Sequence, residues 1–266
     1  MPRSAIINVM VQAAMKAGRS LSRDFGEVQN LQVSMKGPGD FVSQADRRAE
    51  EIIHTELSRS RPDYSFLMEE SGEVAGSDAQ HRFIVDPLDG TTNFLHGIPI
   101  FSISIGLERQ GQLVAGVIYN PAMDELYTAE RGGGAFMNDR RLRVAGRRKL
   151  SDSVIGTGVP HLGRSDHGQF LIELRHVMGE VAGIRRMGSA ALDLAYVAAG
   201  RFDGFWESGL QPWDMAAGIL MIREAGGFVS DTSGGQDMFG TGTVLAGNEL
   251  IQKALLTEVR KPYIKS

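Results

Sequence analysis

The stretch Asp86-Pro87-Leu88-Asp89-Gly90-Thr91-Thr92 concentrates more chemistry than any other part of the chain. Asp86 and Asp89 stand three apart across Pro87, whose ring sets a rigid turn, so both carboxylates can face one point. Gly90 lets backbone approach a ligand closely. Thr91 and Thr92 can offer N–H groups at a helix start, where a phosphate is welcome. One segment thus supplies hard oxygen ligands for a cation beside a cradle for an anion. Two further clusters share its design, a short apolar run followed at once by carboxylates. They are Phe66-Leu67-Met68-Glu69-Glu70-Ser71, and Glu207 through Trp213-Asp214.

Converging carboxylates repel by about 4 kcal/mol per pair at ~4 Å and an effective dielectric of ~20. A site built from Glu69, Asp86, Asp89 and Asp214 therefore needs cations to form. Oxygen ligands without sulfur point to Mg²⁺, with Mn²⁺ as a substitute. Two such ions can activate a water and stabilise a leaving oxygen in phosphoryl transfer. Taken singly, each cluster has a plainer reading. Asp-Pro-x-Asp-Gly is a common turn, Glu69-Glu70 suits a solvated loop, and Asp214 suits the dipole at a helix start. It is their combination, each after an apolar strand, that points to a site.

The elements that must position these residues follow from hydrophobic spacing. Residues 5–17 and 43–57 carry apolar side chains at helical intervals, at Ile6, Met10, Ala13, Ala14 and Ala17, and at Ala45, Ala49, Ile52, Ile53 and Leu57. Residues 64–68 and 83–85 are short apolar strands that run straight into acids. From 99 to 144 the signals are β: Phe101, Ile103 and Ile105 alternate with small residues, and strands follow at 113–119, 125–130 and 135–137. The second half alternates strands at 154–159, 202–206, 228–230 and 244–246 with helices at 169–177, 189–199, 213–225 and 250–259. A seam near residue 150 separates an N-terminal α+β half (1–150), carrying most of the candidate ligands, from a C-terminal α/β half (151–266) that completes one unit.

Composition narrows the function. The chain has 266 residues, enough to bury a sizeable core, with 28 basic and 32 acidic residues for a net charge of −4. A net-acidic chain is a poor general binder of nucleic acid or anionic membrane. With no cysteine, disulfides, thiolate metal sites and cysteine phosphatase chemistry are excluded. No apolar run reaches the ~18 residues of a membrane span, and the N-terminus lacks the apolar block of a signal peptide, so a cytoplasmic location is expected. The Asp-x-Asp nucleophile of haloacid-type phosphatases and the Gly-rich phosphate loop of P-loop nucleotide hydrolases are both missing.

These residues resemble the inositol monophosphatase family, in its bacterial extragenic-suppressor branch. Residues 86–94, Asp-Pro-Leu-Asp-Gly-Thr-Thr-Asn-Phe, are similar to the first family signature. Trp213-Asp214-Met215-Ala216-Ala217-Gly218, continuing to Glu224-Ala225-Gly226-Gly227, is similar to the second. Met68-Glu69-Glu70-Ser71 matches the usual Gly-Glu-Glu-Ser with Met for Gly, a position that offers only its backbone. Lys36 and residues 40–46 match the N-terminal pattern, and Gly188-Ser189-Ala190-Ala191 with Glu207 match the substrate side.

The resemblance implies a layered αβαβα sandwich of the sugar-phosphatase type and Mg²⁺-dependent hydrolysis of a phosphate monoester by two or three ions. Glu69, Asp86 and the Leu88 carbonyl would hold the first ion, and Asp86, Asp89 and Asp214 the second. Glu69 and Thr91 would orient the attacking water, and the Gly90 and Thr91 amides would take the phosphate. Asp89, Gly188, Ser189, Ala190, Glu207 and Asp214 would face a sugar-like alcohol. Lys36, Asp46 and Glu70 would act in support. The family further implies a lithium-sensitive homodimer acting on myo-inositol 1-phosphate. Relatives with other alcohols, such as histidinol phosphate, fructose 1,6-bisphosphate or a 3′-phosphonucleotide, share the catalytic half. A regulatory protein that binds the transcription machinery is the reading from another class.

Three features stand apart. His161 and His167 suit exposed loop histidines better than metal ligands. The basic run Arg140, Arg141, Arg143, Arg147, Arg148 and Lys149 suits a solvated hairpin, with an RNA or protein contact as the alternative. Arg185-Arg186 either guides an anionic substrate or forms a subunit contact.

Overall fold

The computed structural model describes residues 3–25, 33–37, 40–161 and 166–262. Two helices come first among the layers: α1 (Ala5–Phe25) and α2 (Gln44–Ser60). A short antiparallel pair, β1 (Val33–Gly37) and β2 (Asp40–Ser43), lies between them in sequence. Helix α1 runs eight residues beyond the expected end at Ala17, because Leu21 continues the buried stripe of Met10, Ala14 and Ala17. Gly18 does not break it; its bare Cα lets Tyr119 pack against the helix, where a β-carbon would overlap the tyrosine ring.

An eight-stranded sheet follows, built from β3 (Tyr64–Met68), β4 (Gly72–Val74), β5 (Asp78–Asp89), β6 (Ser102–Arg109), β7 (Gln112–Asn120), β8 (Glu125–Glu130), β9 (Gly134–Met137) and β10 (Arg140–Arg141), in the order β10-β9-β8-β7-β6-β5-β3-β4. The one-turn helix α3 (Thr91–Leu95) leaves the end of β5. Only β3 and β5 pair in parallel; the rest is an antiparallel meander. Residues 83–85, expected as a short strand, are the middle of the twelve-residue β5, all of them buried.

A five-stranded sheet carries the second half: β11 (Val154–Thr157), β12 (Gly183–Arg185), β13 (Gly204–Ser208), β14 (Phe228–Ser230) and β15 (Thr243–Gly247), in the order β12-β11-β13-β15-β14. Its helices are α4 (His167–Met178), α5 (Ala190–Ala198), α6 (Pro212–Glu224), α7 (Met238–Thr241) and α8 (Glu249–Val259). Every strand of the larger sheet precedes residue 142, and every strand of the smaller follows residue 153.

The layers are α1 and α2, the larger sheet, α5 and α6, the smaller sheet, then α4 and α8, an αβαβα sandwich as expected. Among the described residues, three apolar cores fill its spaces. Helix α5 is buried at every position from Ala190 to Ala198, as a helix between two sheets must be. Helix α6 packs directly on the larger sheet, because Gly106 and Gly116 present no side chain to it. A β-carbon on Gly106 would come within 2.8 Å of Ala216 Cβ, and one on Gly116 within 3.1 Å of the Ala217 backbone. This close approach brings the start of α6, and Asp214 with it, up to the end of β5. The basic run is only partly a hairpin. Arg140 and Arg141 pair with β9, while Arg147 reaches the buried Asp203 at 3.2 Å.

Candidate metal and phosphate site

The end of β5 builds the centre of the site. Opposite β6, Asp86 faces Ser104 and Asp89 faces Ser102, and the register slips between them. That bulge at Pro87-Leu88 turns successive carboxylates toward one side and accommodates a proline, which has no N–H to give the ladder. The Leu88 N–H donates to Asp86 Oδ1 at 2.9 Å, closing a tight turn. Gly90 then takes φ 94, the left-handed region, and caps α3. A β-carbon there would also lie 2.9 Å from the Ile100 carbonyl oxygen, so both backbone sign and space require glycine.

Helix α6 contributes Asp214 from its first turn. The Gln211 N–H donates to Asp214 Oδ2 at 2.7 Å in a capping box, and Pro212 stands in the first turn. Ser104 Oγ donates to the Trp213 carbonyl at 3.1 Å, pinning this helix start to β6. As a result, carboxylate oxygens of Asp86, Asp89 and Asp214 lie within 4.8 Å of one another.

Electrostatics mark this as an unbalanced cluster. Asp86 is 2% exposed. Burial, then the charges of Glu69, Asp89 and Asp214, push its carboxyl well above the usual range. Asp89 is raised to about 6, chiefly by burial, against hydrogen bonds that lower it. Those bonds come from Ser189 Oγ at 2.6 Å and the Ala191 N–H at 2.7 Å, so the start of α5 holds Asp89 from the other side. A set of converging, all-oxygen, partly desolvated donors fits hard divalent cations, which would favour the ionised forms.

Glu69 lies just past β3, its N–H donating to the Val85 carbonyl at 3.2 Å. It lines the same cleft and adds to the strain on Asp86. Thr91 Oγ1 is placed to donate to either Asp46 Oδ1 at 3.1 Å or the Leu88 carbonyl at 3.0 Å. Asp46, in α2, is fully buried. Glu70 follows Glu69 in the turn. Its N–H donates to Glu50 Oε2 at 2.8 Å, and its side chain is not part of the cleft wall. Lys36 lies in β1, and its side chain falls outside the described residues.

The cleft has a volume of about 130 Å³. Glu69, Asp86, Leu88, Asp89, Gly90, Thr91 and Asp214 line one side of it, and Gly188, Ser189, Ala190 and Glu207 the other. Asn93 fastens the two sides, donating to the carbonyls of Ile100 at 2.7 Å and Met187 at 2.8 Å. The residues proposed from sequence thus line one cleft, except Glu70 and Asp46, which bonds to Thr91; the side chain of Lys36 lies outside the described residues.

The cleft also holds Gly158, Val159, Asp193 and Leu210, to which the sequence did not point, together with Thr92, expected to offer its N–H at a helix start, and Arg186, for which guiding an anion was one of two alternatives. Arg186 stands at the mouth, which makes it available to an anion. His161 lines the cleft as well, half-buried, whereas His167 is exposed in α4. Asp193 is 1% exposed within the apolar helix α5, and its Oδ1 has no hydrogen-bond partner among the described residues. Burial, then Glu207 and Asp89, push its carboxyl well above the usual range. The available signal was a single acid in the run Ala-Ala-Leu-Asp-Leu-Ala-Tyr-Val-Ala, where a charge has no structural reason to be.

An αβαβα sandwich with carboxylates from two layers converging beside an anion cradle defines the sugar-phosphatase class. The comparisons resolve the class further. The sequence profile of the inositol monophosphatase family matches residues 3–264. A Mesorhizobium japonicum protein named inositol-1-monophosphatase is 78% identical over 262 residues, covering 98% of each chain. An Escherichia coli protein named Nus factor SuhB is 43% identical over 255 residues, covering 96% of each. The crystal structure of extragenic suppressor protein suhB from Bartonella henselae superposes with a TM-score of 0.96 at 70% identity, covering 98% of this chain and all of that one. The chain belongs to the inositol monophosphatase family.

Proposed function

We propose that this protein hydrolyses the phosphate monoester of a polyol, myo-inositol 1-phosphate foremost, with two or three Mg²⁺ ions that Mn²⁺ can replace. The observation that carries this reading is the convergence of Asp86, Asp89 and Asp214 within 4.8 Å beside the Gly90-Thr91 turn. The high identity to relatives named inositol-1-monophosphatase supports the choice of alcohol.

Glu69, Asp86, the Leu88 carbonyl, Asp89 and Asp214 would hold the ions. When bound, these supply Lewis-acid stabilisation of negative charge on the attacking and leaving oxygens. The chain's own groups do the rest. The Gly90 and Thr91 amides receive the phosphate oxygens. Glu69 and the Thr91 hydroxyl orient the attacking water. The hydroxyl has one proton, and donating it to Asp46 leaves its lone pairs for the water's hydrogen. Asp89, Gly188, Ser189, Ala190, Glu207 and Asp214 face the alcohol. The N-terminal half to about residue 150 supplies most of the metal ligands, and the remainder closes the site over the alcohol.

The test is a panel of phosphate esters with purified protein in Mg²⁺ and in EDTA. Fastest turnover of inositol phosphate, lost with EDTA, is expected. Preference for histidinol phosphate, fructose 1,6-bisphosphate or a 3′-phosphonucleotide would keep the reaction and change the alcohol. A homodimer inhibited by lithium and resident in the cytoplasm belongs to the same reading; among the described residues no helix is long and apolar enough to cross a membrane. The E. coli relative's name favours a second role, contact with the transcription machinery through the basic surface of Arg140, Arg141, Arg143, Arg148 and Lys149. A catalytically dead Asp86→Asn protein that keeps such a contact would separate the two roles.

A further inference from the structure

Strands β11 and β13 run in parallel, with Thr157 opposite Trp206. Thr157 Oγ1 donates to the Trp206 carbonyl at 2.9 Å, fixing the strands where they reach the cleft. The next residues along are Gly158 and Glu207, and both line the cleft on its alcohol side. Gly158 is not among the positive-φ glycines, so its backbone conformation is open to any residue. Space is what excludes a side chain. A β-carbon on residue 158 would overlap the carboxyl carbon of Glu207 and both of its oxygens. The Glu207 carboxylate therefore sits in the volume that a side chain at 158 would fill.

We propose that Gly158 is a specificity-determining residue: its bare Cα is the seat that holds the Glu207 carboxylate where it accepts hydrogen bonds from the hydroxyls of the alcohol. This rests on the phosphatase reading above and deepens it toward substrates with a hydroxyl-rich leaving group. The seat is separable from the fold. At Gly116 the obstacle to a β-carbon is helix backbone, which cannot yield; at Gly158 it is the far end of a flexible side chain. A methyl at 158 moves the carboxylate and leaves the strand in place. The proposed metal ligands lie elsewhere, Glu69 just past β3, Asp86 to Asp89 on β5 and Asp214 on α6, so they are not displaced.

The test compares wild type, Gly158→Ala, Glu207→Ala and the double variant. Each is assayed in Mg²⁺ with myo-inositol 1-phosphate and with p-nitrophenyl phosphate, which has no alcohol hydroxyls to offer. A crystal structure of Gly158→Ala is solved alongside. Loss of a hydrogen bond to a charged group corresponds to about tenfold or more in kcat/KM. Gly158→Ala should show this on the inositol ester, mainly through KM, and lose at least five times less on the aryl ester. In the Glu207→Ala background, where the seat is empty, Gly158→Ala should add no more than about twofold. The crystal structure should show Glu207 displaced. Equal losses on both esters, an undiminished loss in the Glu207→Ala background, or Glu207 unmoved in the Gly158→Ala crystal structure would each overturn the proposal. If Gly158→Ala does not fold, the double variant must fold; its failure too would mean that the backbone needs glycine, which also overturns it. A wild type that hydrolyses neither ester refutes the phosphatase reading, and a Glu207→Ala that harms both esters equally refutes Glu207 as the hydroxyl reader.

Discussion

In cation-free buffer the carboxylate cluster should make the protein less stable as pH rises, and Asp89→Asn should remove a measurable part of that slope. Burial dominates the rise of Asp89 from 3.8 to about 6. A carboxyl whose folded pKa lies above its unfolded value binds its proton more tightly in the fold. Its contribution is therefore complete below about 3.8 and lost as pH climbs through about 6. At ~1.36 kcal/mol per unit the whole window corresponds to about 3 kcal/mol. Linkage places about 1.4 kcal/mol of that between pH 5 and 8, and partial exposure reduces the expected figure to about 1 kcal/mol. Asparagine keeps an oxygen to accept from Ser189 and Ala191 but never ionises, so it lacks this part of the slope. Asp86, raised by burial and then by Glu69, Asp89 and Asp214, adds in the same direction in wild type. Asp78, Glu125 and Asp231 are lowered by their hydrogen bonds and gain stability as pH rises, but equally in both proteins. The assay is urea unfolding of wild type and Asp89→Asn in EDTA at pH 5 and pH 8. Saturating Mg²⁺ should reverse the wild-type trend, because the ion binds only the ionised cluster. Identical pH slopes in the two proteins, or a wild-type slope indifferent to Mg²⁺, would refute the reasoning.

Asp86→Asn should lower kcat to less than a tenth of wild type, a barrier increase of more than ~1.4 kcal/mol, and weaken Mg²⁺ binding measured by calorimetry. In EDTA the same variant should unfold at higher urea than wild type, since it relieves repulsion at a residue 2% exposed. Thr91→Ala should reduce kcat more than it raises KM, because orienting the water matters chiefly in the transition state; a changed KM alone would confine Thr91 to phosphate binding. Glu207→Gln should cost ~1.5–3 kcal/mol in kcat/KM with inositol phosphate and far less with an aryl phosphate. Asn93→Ala should destabilise the fold by roughly 1–3 kcal/mol in urea unfolding, because it removes both donors and strands the Ile100 and Met187 carbonyls.

Long periodic elements and the acidic ends of strands were legible in the sequence. Helix α6 begins at Pro212 against an expected 213, and α8 ends at Val259 as expected. Asp86, Asp89 and Asp214 could be grouped before any fold was known, because repulsion among them makes sense only around a cation. The elements that escaped are short or locally unfavourable. Strands β4 and β12 have three residues each and β10 two, too few to display a period. Strand β5 extends through Pro87, which argues against a strand until the bulge is known. The start of helix α3 at Thr91-Thr92 was legible, but its five residues are too few for its length to be read. For Gly158 the sequence carried no signal, and for Arg186 and Asp193 only a partial one, an anion-guiding alternative and a lone acid in an apolar run. Their part in the cleft depends on which loops of the smaller sheet face the end of β5, and that is a property of packing between layers rather than of local sequence.

That division has a chemical consequence. The side proposed for the cations and phosphate centres on β5 and α6, which approach closely because Gly106 and Gly116 let α6 settle on the larger sheet, with Glu69 added from the end of β3, so its geometry is set by rigid packing. The side proposed for the alcohol comes from the ends of β11 and β13 and the turn before α5, held to the first side chiefly by Asn93 and by the Ser189 and Ala191 bonds to Asp89. Substitutions on the alcohol side need not disturb the packing that fixes the carboxylates. A fold arranged this way can keep one phosphoryl chemistry while its leaving-group pocket varies. For this chain, the pocket wall of Gly158, Asp193 and Glu207 is therefore where selectivity among phosphate esters should be sought.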